Sequence, residues 1–198
     1  MPPAKQRTPA LRDHLLRVAV DVLAREGVAG FTTRRVARAA STSPPAVYEL
    51  FGDKAGLVRA VFFEGFRVLR AHLEAVPATE DPVADLTALA LALRRFVADN
   101  PTIAEVMFSR PFADFDPTPD ESEAGAGVRR LVVSTVRRAT STGALRGDPT
   151  DIAHGLLALA LGLAAAEQAG RLGTSAASRD RRWATSLRAL LTGYAAPA

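Results

Sequence analysis

The sequence predicts an all-α protein of about nine helices, and three observations carry that prediction. Ala, Leu, Arg and Val dominate a chain of 198 residues that is 48% hydrophobic, a composition that favours helices and supplies a sizeable core. Apolar residues recur at spacings of three and four, while the alternating β-branched runs that mark strands are nearly absent. Capping residues and prolines stand at the starts of several periodic segments, and glycines stand at their ends.

Residues 1–9 are polar and proline-containing and read as a loose arm. Over 9–25, Leu11, Leu15, Val18, Ala19 and Val22 form one apolar stripe of a first helix. Gly27 and Gly30 end it, and Phe31 anchors the turn. Thr32 or Thr33 caps a second helix, "TRRVARAA", whose inner face is Val36, Ala37 and Ala40. After the short connection "STS", Ser43 caps a third helix with Pro44 at its first position. Pro45 shares that first turn, where a missing N–H costs little. Gly52 ends this helix, and Asp53 caps a fourth over about 54–76. "PATEDP" is a boundary loop, and helices follow at 83–99 and 102–109. Residues 110–125 read as an acidic, proline-rich loop; the remaining helices fall at about 126–142, 149–171 and 179–194.

Charge is distributed unevenly. Residues 1–60 hold ten Lys/Arg against five Asp/Glu, whereas the rest hold fifteen against sixteen. The basic character of a chain with net charge +4 therefore lies in its first third, which points to an anionic partner there. The absence of cysteine excludes disulfides and thiolate metal sites, and His14, His72 and His154 are too scattered for a zinc set. The acidic "DFDPTPDESE" lacks the spacing and sixth-position glycine of a calcium loop. No P-loop is present, and "GAGVRR" holds only G-x-G and follows no strand. These exclusions argue against an enzyme, a cofactor or a bound metal. The N-terminus has no apolar run of signal-peptide length, so the chain is placed in the cytoplasm. Its most apolar stretch, "IAHGLLALALGLAAA", is short and rich in small residues, and reads as a buried helix, not a membrane span.

Two short helices after a longer one make a helix-turn-helix pattern. At "GVAGFTTRRVARAASTSPPAVYELFGDKAGLVRAVF" the chain resembles the TetR family of transcriptional repressors. Gly27, Phe31, Thr32, Thr33, Val36, Ala37, Ala40, Val47, Tyr48, Phe51, Lys54 and Leu57 carry the likeness, which covers the first 60 to 70 residues. Beyond them, helix count and length agree. The resemblance implies a DNA-binding domain over 1–53 and a helical domain over 54–198 that binds an effector and dimerises, with the helix from Lys54 linking the two. It implies a homodimer on a double-stranded operator, released by a small molecule. Ser41 stands where the family usually has glycine, and Leu50 where many members carry a histidine that touches the DNA backbone.

Carried onto this sequence, the likeness places Ser43, Pro44, Pro45, Ala46 and Tyr48 on a helix entering the major groove, with Val47 and Phe51 packed inward. Pro45 and Ala46 offer only apolar contact to thymine methyls. Arg34 is the residue suited to bidentate bonds with guanine, and Arg35 is a second cation beside it. Thr33, Tyr48 and Lys54 are expected to hold phosphates, fixing register without reading sequence. Arg38 reads equally as a balance to its helix dipole, and the role of Glu49 stays open.

Seven of nine phenylalanines lie between Phe62 and Phe115. The resemblance implies an effector pocket between the helices of this segment and those of 126–171, which makes Phe66, Leu69, Phe96, Met107, Phe108 and Phe112 its candidates, with ordinary core as the competing reading. The last two helices are the family's dimer surface, which nominates Leu159, Gly162, Leu163, Trp183, Leu187, Leu190 and Leu191, again against a reading as intrachain core. Two other functions compete with a ligand-responsive repressor: a nucleic-acid-binding protein without effector control and, less favoured, a helical enzyme.

Overall fold

The computed structural model describes residues 9–108 and 119–196. Among them are nine helices: α1 (Pro9–Gly30), α2 (Thr33–Ala39), α3 (Pro44–Phe51), α4 (Lys54–Glu74), α5 (Pro82–Asp99), α6 (Pro101–Phe108), α7 (Pro119–Ser141), α8 (Pro149–Gln168) and α9 (Ala176–Gly193). No strand occurs among the described residues, and the one extended contact is an isolated bridge between Leu145 and Ala195. The all-α architecture read from the sequence is the observed one.

The chain forms two compact units, Met1–Phe66 with Asn100–Asp116, and Arg67–Asp99 with Pro117–Ala198. The first unit thus extends past the 1–53 stretch into α4 and gathers α6 from later in the chain. Its core joins Leu15, Ala19 and Leu23 of α1 to Phe31, Val36, Val47, Leu57, Val61 and Val106. Each wholly buried aliphatic or aromatic side chain here contributes about 1.5–3 kcal/mol by leaving water. α1 turns at Gly27 (φ 68°, ψ 178°), where the sequence placed its end, before a last turn to Gly30.

The start of α4 has a steric requirement. The Asp53 carboxylate accepts the Gly56 N–H at 2.8 Å, which satisfies one of the free donors of the first turn. A Cβ at Gly56 would lie 1.8 Å from the Phe51 carbonyl oxygen, so only glycine lets α4 begin this close to the end of α3.

In the second unit α5, α7 and α8 pack on one another, and α9 packs on α8. Two expectations are corrected here. Helix α7 begins at Pro119, so the last part of the expected 110–125 loop is helical; acidic residues at a helix N-terminus suit its dipole. Residues 109–118 lie outside the described part. Helix α8 is not the buried helix expected. Its 20 residues are apolar and long enough to cross a membrane by length and composition, yet 28% of its most apolar window is buried in the chain. Ile152, Ala153, Leu156, Ala160 and Ala164 form its inner face, and Leu157, Leu159, Leu161 and Leu163 stay half-buried.

Candidate nucleic-acid interface

The interface is built on α2 and α3. Thr32 is extended and its hydroxyl accepts the Arg35 N–H at 3.2 Å, opening α2. Val36 and Ala37 face the core while Arg34, Arg35 and Arg38 face outward. The chain then reverses through Ser41, the one non-glycine residue with positive φ among those described, at 51°. Serine holds the left-handed conformation that the family pattern assigns to glycine, as the sequence anticipated. The reversal is closed by Ser41 N–H to the Arg38 carbonyl at 3.1 Å and Thr42 N–H to the Ala37 carbonyl at 2.9 Å.

Helix α3 starts with Pro44 and Pro45 in its first turn, behind an extended Ser43 whose side chain makes no capping bond. Val47 and Phe51 are buried. Pro45, Tyr48 and Glu49 are exposed, as is Ser43, while Pro44 and Ala46 are half-buried. Lys54 stands exposed at the start of α4. The Arg12 guanidinium lies 5.6 Å over the Phe51 ring.

Two candidates differ from their expected settings. Thr33 is 6% exposed, and its hydroxyl donates to the Tyr48 hydroxyl at 3.2 Å. It touches Tyr48 and does not share the exposed row. Arg35 is ion-paired with Glu26 of α1, a residue the sequence reading passed over.

The apolar candidates divide between the two units. In the first, Phe66 meets Phe62 in a tilted contact at 4.9 Å between centroids and Phe108 edge-on at 5.9 Å. Met107 is buried and Phe108 exposed. In the second unit Leu69 and Phe96 are both buried. Phe112 lies outside the described residues. None of these side chains lines the cavities of about 370 Å³ and 330 Å³ that open in the second unit. Beside Phe96, at 6.3 Å between rings, lies His72, whose Nε2 is buried without a hydrogen-bond partner among the described residues.

The expected dimer set is corrected in part. Trp183, Leu187 and Leu191 are buried in the chain's own core. Trp183 is held there because its indole N–H donates to Glu167 at 2.8 Å and the Arg94 guanidinium lies 5.3 Å over its ring. Leu159, Leu163 and Leu190 remain half-buried, and Gly162 is exposed. Glu167 also receives both Arg94 Nε and Nη2 at 2.7 Å and pairs with Arg179 at 3.3 Å. A second polar cluster centres on buried Asp85, which accepts the Thr79 N–H and hydroxyl and Arg138 Nη1, the last at 2.9 Å. Sequence reasoning missed both clusters. Their guanidinium and carboxylate partners lie 73 and 53 residues apart along the chain and carry no local signature.

Comparison with known proteins agrees with this arrangement. Residues 15–61 match the profile of bacterial regulatory proteins of the tetR family, and residues 86–190 match the tetracyclin repressor-like C-terminal domain. No curated protein matches the chain. Among solved structures, a protein of unknown function from Rhodococcus sp. RHA1 is 28% identical, with a TM-score of 0.83 over 99% of this chain and 100% of that one. A bacterial regulatory protein in the tetR family from Rhodococcus RHA1 is 19% identical, with a TM-score of 0.66 over 96% of this chain and 100% of that one. The fatty acid degradation regulator FadR from Bacillus halodurans is 16% identical, with a TM-score of 0.73 over 94% and 97%. The last two share the fold. With one profile spanning more than half of its length and the other spanning the helix-turn-helix, the chain belongs to the TetR family of DNA-binding transcriptional regulators.

Proposed function

We propose that this regulator is a repressor, a homodimer seated on a pseudo-palindromic operator and released by a small, largely apolar effector. One observation carries the DNA-binding part. Two short helices bury Val36, Ala37, Val47 and Phe51 on one side and expose Arg34, Pro45, Tyr48 and the nearby Lys54 on the other. In this reading residues 1–53 read DNA, and 54–198 dimerise and bind the effector.

Arg34 reads guanine through a bidentate pair, worth about 1–3 kcal/mol of discrimination. Ser43, Pro44, Pro45 and Ala46 supply shape and thymine contact. Tyr48 and Lys54 hold phosphates, and Thr33 fixes the Tyr48 hydroxyl. Leu69 and Phe96 of the second unit are proposed for the effector, with His72 as the group that meets its polar end, because a buried ring nitrogen without a partner is costly. The Bacillus halodurans neighbour is a fatty acid degradation regulator, so acyl compounds are the first effectors to try. Leu159, Gly162, Leu163 and Leu190 are proposed for the dimer surface. No catalytic residue, cofactor or membrane partner is assigned.

Fluorescence anisotropy on DNA from upstream of the gene, beside a scrambled duplex near physiological salt, tests the reading. A specific duplex, found there or by selection from a random pool, should bind at least about a hundredfold tighter than the scrambled one. Equal binding to all sequences would favour a DNA-binding protein without effector control.

A further inference from the structure

We propose that Glu26 is a built-in competitor of the DNA backbone: it occupies Arg35 and thereby weakens sequence-independent binding. The inference rests on the reading of α2 and α3 as the DNA-facing elements.

Glu26 is the last residue before α1 turns at Gly27. Its carboxylate pairs with Nη1 of Arg35, nine residues further on and in the first turn of α2. The turn is shaped around this carboxylate. A Cβ at Gly30 would lie 2.9 Å from the Glu26 Cβ and 3.3 Å from its Oε2. Gly30 thus leaves the space through which the Glu26 side chain reaches Arg35. No such pair engages Arg34 or Lys54 among the described residues.

The pair is partly exposed, at 56% for the Arg35 side chain and 32% for Glu26. Exposed ion pairs add little to stability, so the chief consequence is for where the Arg35 charge is available. A phosphate competes with the carboxylate for Nη1 of Arg35, and the negative charge of Glu26 stays beside the backbone whether or not the pair opens. Successive residues of a helix point about 100° apart. Arg34 and Arg35 therefore face different directions, and Arg34 keeps its base contact while Arg35 is held. Glu26 lowers affinity for operator and bulk DNA alike and shortens the time spent on the bulk.

The test compares wild type, Glu26→Gln, Arg35→Gln and the double variant on a selected operator duplex and a scrambled one, across a salt series. Circular dichroism checks that helicity is unchanged. Glu26→Gln should bind both duplexes about three- to tenfold tighter near physiological salt. Its plot of log affinity against log salt should steepen by about 0.9 for each DNA-reading head that gains a phosphate contact. The gain should vanish in the Arg35→Gln background. Affinity and slope equal to wild type would overturn the inference alone, as would a gain that survives loss of Arg35. Failure of all four proteins to bind any duplex would overturn the DNA-facing reading of α2 and α3 together with it.

Discussion

Ser41 carries the reversal between α2 and α3 with φ at 51°. A left-handed conformation costs an ordinary residue about 1–2 kcal/mol. Ser41→Gly is expected to raise stability by up to about 1 kcal/mol, less what glycine's freedom in the unfolded chain takes back. Ser41→Val should lower it by at least that much, because a β-branched side chain resists positive φ. Thermal unfolding followed by circular dichroism measures both. Two interface residues give contrasting expectations. Arg34→Ala should collapse the ratio of specific to scrambled binding by about ten- to a hundredfold, the size of one lost bidentate contact. Thr33→Val should weaken both duplexes by a similar few-fold factor, because it frees the Tyr48 hydroxyl without touching a base. The special place of Ser41 was legible, since the departure from glycine is visible in the sequence. The burial of Thr33 was not: Thr32 and Thr33 are adjacent and identical, and only the observed cap at Thr32 decides which one turns inward.

At the level of helices, the Glu167 cluster ties α5, α8 and α9 through Arg94, Arg179 and Trp183. Glu167→Ala would leave the Trp183 indole N–H without its acceptor and the Arg94 guanidinium with Asp180 alone, at 2.8 Å. With the Arg94 and Glu167 side chains about one-fifth exposed, the loss should be about 2–3 kcal/mol, below the full value for a buried pair. Hydrogen bonds from Arg94 hold the Glu167 carboxyl below its ordinary pKa, against the opposing effect of burial. Burial pushes Asp85 up, but the bonds from Thr79 and Arg138 outweigh it and leave it lowered too. Both carboxylates therefore contribute stability that is complete above the ordinary carboxylate range, about pH 4, and is lost as pH falls through their folded values. Urea midpoints between pH 7 and pH 3 should drop steeply at the acid end for wild type and less steeply for Glu167→Gln. Helix existence was legible from periodicity, and several boundaries from capping residues. The early start of α7 was not, because its first turns are acidic and proline-led and carry no apolar stripe.

For the whole molecule, α8 leaves Leu157, Leu159, Leu161 and Leu163 half-buried beside an exposed Gly162. The proposed dimer covers this face. Sedimentation should give twice the 20.9 kDa of the chain. A Cβ at Gly162 meets nothing within 4 Å in its own chain, so Gly162→Arg should leave the protomer folded while shifting it to monomers and abolishing tight operator binding. The sequence could nominate this surface, but it could not sort Trp183 from Gly162. Periodicity shows that a residue faces something apolar without showing whether that is its own core or another chain.

The first unit borrows α6 from beyond Asn100, and α6 packs on α1 with Ile103, Ala104, Val106 and Met107 buried. The reading head is therefore not a detachable cassette. A hybrid sensor spliced at residue 53 would carry α1 with a bare apolar flank, and the borrowed body would have to supply a substitute for α6. Engineers who wish to rewire this regulator should transplant the residues that line an effector's seat into the intact chain instead of exchanging its ends.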